Sequence, residues 1–123
     1  MKQEYIKGDI VIYDNKIHTI MDALGVNNYE LSYIKHPVHQ LELSGVPVTP
    51  EILEKNGWEK DEESSFKTQL YYRKKVGVRT IFVIVREETS RVIYDSTCLR
   101  IIQYIHELQH FLFGLDLNSE MEV

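Results

Sequence analysis

Two runs rich in Tyr, Val, Ile and Thr, residues 66–73 and 78–86, are separated only by Lys74, Lys75, Val76 and Gly77. β-Branched and aromatic side chains fit a pleated, half-buried surface, and a short connection containing Gly favours a hairpin. The pair predicts two adjacent antiparallel strands around which the rest of the chain must be arranged. A turn at residues 87–90 leads into a further short strand at residues 91–94.

Upstream, short strands alternate with tight turns. Residues 9–13 alternate polar and apolar, and residues 17–24 resume extended, branched character after Asp14-Asn15-Lys16. Gly25-Val26-Asn27-Asn28 supplies a second turn, since Gly and Asn tolerate positive φ. Residues 29–34 form a third strand and residues 41–43 a short fourth, beyond the break at Pro37. Strands of this kind, opening on Lys7-Gly8-Asp9, resemble the small SH3-like barrels in shape, a shape that hosts unrelated functions.

Two helices are expected. Thr49 can cap one, Pro50 suits its first position, and Glu51 favours its positive end, so residues 50–56 are helical until Gly57 stops them. Trp58 then packs back on that helix. The second is expected over residues 97–113, capped by Asp95 or Ser96 and ended by Gly114. Cys98, Ile101, Ile105, Leu108, Leu112 and Leu115 would share one stripe of it and cover the sheet. The fold class is thus α+β: SH3-like or barrel-like N-terminal strands, a short middle helix, C-terminal antiparallel strands and a packing C-terminal helix, in a single domain over residues 1–123.

Composition narrows the classes of function. The formal charge is −5, and the strongest basic cluster is Arg73-Lys74-Lys75. Nucleic-acid binders neutralise several phosphates through a basic patch, so nucleic acid is the less expected partner. Tyr71-Tyr72 with Lys67 and Arg73 leaves a nucleic-acid-binding accessory domain as a third reading. The single cysteine, Cys98, excludes an intramolecular disulfide. Lys2, Glu4, Lys7 and Asp9 interrupt any secretory apolar region, and no run approaches the roughly 20 residues of a membrane span. The expectation is a cytoplasmic protein without a membrane partner, with Cys98 as a core thiol.

The segment Gly45-Val46-Pro47-Val48-Thr49-Pro50-Glu51-Ile52-Leu53-Glu54-Lys55-Asn56-Gly57-Trp58 and the tail Tyr104-Ile105-His106-Glu107-Leu108-Gln109-His110-Phe111-Leu112-Phe113-Gly114-Leu115 span about a fifth of the chain. Together they resemble a family of small uncharacterised proteins of Bacteroides-type bacteria, their prophages and phages. Its members share a Gly-x-Pro-x-Thr-x-Glu-Ile-Leu-x-Lys-Asn-Gly stretch and a C-terminal Tyr-x-His-x-Leu-Gln helix. The resemblance implies a phage or mobile-element context, in host cytoplasm or virion, and implies no activity. It departs at His110, where the family pattern has Asn.

His106-Glu107-Leu108-Gln109-His110 matches the H-E-x-x-H zinc-hydrolase pattern. On a helix, His106 and His110 would offer two ligands to zinc, Glu107 would polarise its water, and Asp116 would be the third ligand. Glu120 and Glu122 are further candidates. Against this, the zinc-protease branch with that spacing needs Gly where Phe113 stands, and Gly114 comes one residue late. A zinc metallohydrolase is therefore the alternative. The preferred expectation is no cofactor, no catalytic residue, and a protein-binding or self-assembling module. Ile102, His106, Gln109 and Phe113 repeat at helical spacing beside the core stripe and are the expected partner-binding residues, for a protein partner or a homo-oligomer.

Overall fold

A computed structural model describes residues 5–66, 68–87, 89–94 and 97–123. The fold is α+β, and the described residues form two antiparallel sheets of five strands each and two α-helices. The chain forms two compact units, Met1–Val46 with Tyr104–Met121, and Pro47–Gln103 with Glu122–Val123. Among the described residues no helix is long and apolar enough to cross a membrane.

In the first unit β1 (Ile10–Tyr13) and β2 (Lys16–Ala23) pair with Tyr13 opposite Lys16. Only Asp14 and Asn15 connect them, at φ of 51° and 62°. Two successive left-handed residues make the turn that matches strand twist, and Asp and Asn tolerate it best after Gly. β3 (Asn28–Leu31) joins β2, β4 (Val38–His39) joins β3, and β5 (Ser44–Gly45) closes on β1, in the order β4-β3-β2-β1-β5. Val11, Ile20, Tyr29, Leu31 and Val38 bury fully between these strands, with Tyr5 and Leu43 beside them.

Residues 41–43, expected as a strand, instead follow a 3-10 turn at Gln40–Glu42. His39 Nδ1 accepts from Leu41 N–H at 3.1 Å, and Glu42 Oε2 accepts from His39 N–H at 2.9 Å. This reciprocal capping satisfies the backbone locally, so no strand partner is needed. Val38 and His39 pair with Tyr29 and Asn28 as β4.

In the second unit α1 (Pro50–Lys55) starts as its sequence predicts, with Thr49 Oγ1 accepting from Ile52 N–H at 3.3 Å. Trp58 returns on it through a bond from its N–H to Leu53 O, and its ring lies under Lys74 Nζ. The sheet runs β10-β9-β8-β7-β6, from β6 (Glu59–Lys60) through β7 (Leu70–Val76), β8 (Arg79–Val85) and β9 (Ser90–Tyr94) to β10 (Thr97–Ile102). β7 starts later and ends later than predicted, and its hairpin turn is Gly77-Val78 with Gly77 at φ 64°. Lys67 lies outside the described residues.

The largest departure is at residues 97–102, which form β10 and not the first half of a helix. Thr97 pairs with Tyr94, and Ile102 with Ser90, across a bulge between Cys98 and Arg100. A neighbouring strand edge satisfies the backbone of this Thr- and Ile-containing segment, and that outweighs a short stretch of helical spacing. α2 therefore covers only Ile105–Gly114. Cys98 and Ile101 are exposed, and Leu115 is largely so, so the expected six-residue stripe reduces to Ile105, Leu108 and Leu112. Cys98 is accordingly not a core thiol. The expected Asp95 or Ser96 cap falls outside the described residues.

Ile105 and Leu108 are completely buried whereas Phe113 is 64% exposed. Ile105→Ala and Leu108→Ala should each destabilise the fold by about 2–5 kcal/mol, with Phe113→Ala within about 0.5 kcal/mol of the parent, in denaturant melts.

Tyr72 is buried in the second unit and its hydroxyl donates to Glu54 Oε2 at 3.0 Å. Burial pushes its phenol up to about 12, and the hydrogen bond and charge of Glu54 add to the effect. Because the folded value lies above the unfolded one of about 10, this contribution is intact below pH ~10 and is lost as pH rises toward 12. Tyr72→Phe should flatten the alkaline fall in stability, measured by denaturant melts on either side of pH 10.

Candidate functional site

The H-E-x-x-H segment lies on α2, in the first unit. Glu107 Oε1 accepts from Tyr104 N–H at 3.0 Å, the return half of a capping box. Tyr104 itself lies over Gly45, where any Cβ would run into its ring. That close approach gives a physical reason for glycine at position 45. Glu107 is thus engaged with the helix start.

His106 is buried among aromatic rings. Tyr104 stacks on it with centroids 5.7 Å apart, and Tyr5 meets it edge-on at 4.9 Å. The His110 ring lies 5.7 Å away at a steep angle. His110 Nε2 is 2.6 Å from Asp9 Oδ2, and Asp9, itself 1% exposed, also accepts from Ile6 N–H at 2.9 Å. His110 is only part-exposed and faces the entry to β1.

The fit of these residues to zinc is poor. The His110 nitrogen nearest a carboxylate is engaged by Asp9, and His106 is enclosed by rings. Asp116 is exposed in a left-handed conformation with φ 59°, in the turn that ends α2. Among the described residues no three His, Cys, Asp or Glu side chains gather as a metal-holding group. Glu120 and Glu122 are exposed as well.

Gln109 was expected on a partner-binding face but is buried, with its amide fully directed inward. Its Oε1 accepts from Ile10 N–H at 3.0 Å, and its Nε2 donates to Gly8 O at 2.9 Å and Ser119 O at 3.1 Å. One side chain thereby ties the start of β1 and the tail beyond α2 to the helix. Of the four expected docking residues, Ile102, His106 and Gln109 are buried and Phe113 alone is exposed. The helical spacing that grouped them fails because Ile102 belongs to β10. Buried amides need partners, and here two of the three are backbone groups about 100 positions away, which no local pattern reveals.

Another surface of the first unit meets the physical requirements of docking better. Tyr33 is 98% exposed and sits at φ 63°, a conformation unusual for a bulky side chain. Its turn is anchored: Ser32 Oγ accepts from Thr19 N–H at 3.0 Å, Ser32 N–H donates to Thr19 O, and Ser32 O meets His18 Nδ1 at 2.8 Å. Met21, Glu30, Ile34 and Lys35 line a shallow depression with Tyr33, and Ile17 and Met21 are about half exposed on β2. Residue 33 was expected inside a strand, and its sequence carries no turn signal such as Gly or Asn.

No family model, curated protein or solved structure matches this chain.

Gln109→Glu keeps shape and one acceptor but turns an oxygen toward Gly8 O and Ser119 O. It should destabilise the protein by about 2–4 kcal/mol at neutral pH, and at least as much as Gln109→Ala, because it adds repulsion to lost hydrogen bonds. Urea melts of the two variants decide this, and an unaffected Gln109→Glu midpoint would disprove the clamp.

Proposed function

We propose that this chain is a non-catalytic protein-binding module that assembles with a second copy of itself through the Tyr33 surface of the first unit. The observation that carries the proposal is an aromatic ring held almost fully in solvent at positive φ. Such a conformation costs about 1–3 kcal/mol and is retained where the surroundings enforce it. Tyr is a favoured anchor at interfaces, and the hydrogen bonds of Ser32 already fix the turn, so little entropy is lost on docking.

Charge supports a second copy as the occupant. Glu30 and Lys35 line the same depression as Met21, Tyr33 and Ile34. A two-fold pairing would set each Glu30 against the Lys35 of the other copy, with apolar groups at the centre. The short strands and two-residue hairpin of this unit support an SH3-like reading of its shape. The exposed thiol of Cys98 supports a reducing, cytoplasmic setting. The likeness at residues 45–58 and 104–115 supports a phage or mobile-element role.

Sedimentation equilibrium tests the proposal. The parent should dimerise, whereas Tyr33→Gly and Met21→Lys should weaken association at least ten-fold. Tyr33→Gly should leave the melting midpoint equal or higher, since Gly accepts positive φ without strain. A parent that stays monomeric at about 100 µM, equivalent to less than ~6 kcal/mol of association, would overturn it.

A further inference from the structure

The chain has a formal charge of −5, yet β7, β8, β9 and β10 together contain Arg73, Lys74, Lys75, Arg79, Arg91 and Arg100 and no Asp or Glu. All the carboxylates lie elsewhere. Four adjacent strands charged with one sign, bordered by Glu59 on β6, create within an acidic protein a local field that the net charge conceals.

The strand register sorts these residues by face. Tyr71 is opposite Ile84, Arg73 opposite Phe82, and Lys75 opposite Thr80. Phe82 is in turn opposite Ile93, and Ile84 opposite Arg91. Side chains directly opposite share a face, so Tyr71, Arg73, Lys75, Thr80, Phe82, Ile84, Arg91 and Ile93 belong together, with Ile84 buried between Tyr71 and Arg91. The other face carries Tyr72, Ile81, Val83 and Val92, all buried as core. On the first face Tyr71, Phe82 and Ile93 are part-exposed, and Arg73, Lys75 and Arg91 are exposed.

Two depressions of about 370 and 520 Å³ share Phe82 and Thr80. Tyr71 and Ile93 line the first and Arg73 and Lys75 the second. Arg73 is partly neutralised, with Glu59 at 3.8 Å and Asp61 at 4.0 Å. Among the described residues no carboxylate lies within ion-pair distance of Lys75 or Arg91. The face thus combines two aromatic rings and an apolar platform with cations that have room for an anionic partner.

We propose that this face of the second unit binds single-stranded nucleic acid, with bases stacking on Tyr71 and Phe82 and phosphates meeting Lys75, Arg91 and Arg73. An acidic peptide would use the cations and leave the rings without a planar partner. A duplex keeps its bases stacked on one another and would leave them equally unused. Unpaired bases joined by phosphates use both.

The test is fluorescence anisotropy of the full-length protein with labelled oligo-dT and oligo-U of about 12 nucleotides. Saturable binding is expected with a midpoint below about 100 µM at low salt, weakening as salt rises. Tyr71→Ala should weaken it about ten-fold or more, while Tyr71→Phe, which keeps the ring, should bind as the parent does. The exposed double variant Lys75→Gln/Arg91→Gln should reduce the salt slope by about 1.4, the loss of two phosphate contacts to a single strand. Absence of binding, parent-like affinity in Tyr71→Ala and the double variant, or equal affinity for poly-glutamate or duplex DNA would each overturn the proposal. Tyr33→Gly should bind the oligonucleotides unchanged, which separates this site from self-association.

Discussion

The carboxamide of Gln109 holds the first unit together in a way that no apolar contact can replace. Its acceptor and donor meet Ile10 N–H and Gly8 O on either side of Asp9, and its second donor reaches Ser119 O. These backbone groups lie where the first sheet begins and where the chain leaves α2. A buried backbone group without a partner costs about as much as a lost hydrogen bond or more, so β1 can lie against α2 only with such a side chain between them. Asp9, between these two backbone groups, and His110, next to Gln109, add a second polar contact to the same seam. Ile105, Leu108 and Leu112 supply apolar burial to the unit, while Gln109 sets the position of the helix along the strand.

The residues of the zinc-like motif make their contacts along and beside this seam. In H-E-x-x-H hydrolases the histidines look into an open cleft and the glutamate faces bound water. Here Glu107 caps a helix, His106 fills space between Tyr5 and Tyr104, and His110 meets a buried carboxylate. Each residue has a structural role that follows from its contacts. The ring stacking of Tyr104 on His106 also accounts for Gly45, since a larger residue would displace Tyr104. The motif in the tail and the glycine some sixty residues earlier therefore belong to one packing arrangement.

The two proposed surfaces sit in different units and rest on different physics. Around Tyr33 the signal is conformational strain joined to exposure of a large ring. On the second sheet it is separation of charge, with aromatic rings set among cations. Neither would appear from net charge or mean hydropathy, because both quantities average over the faces that matter.

Elements built from neighbours in the chain were determined by the sequence itself. The Asp14-Asn15 turn, α1 with its Thr49 cap and Pro50, and the β7–β8 hairpin all rest on partners within a few residues. Even the bias of β7–β10 toward Arg and Lys was there to be read. Tertiary structure alone decided whether residues 97–102 became helix or strand, because the deciding hydrogen bonds came from β9 and not from within the segment. It also decided that Gln109 and His110 turn inward, toward groups about 100 positions away, and that Ser32, beside Tyr33, is anchored to Thr19 and His18. Local propensity expresses interactions that a segment can make alone. The energy of burying a polar group, or of straining one residue, is set by whichever distant atoms the fold brings beside it.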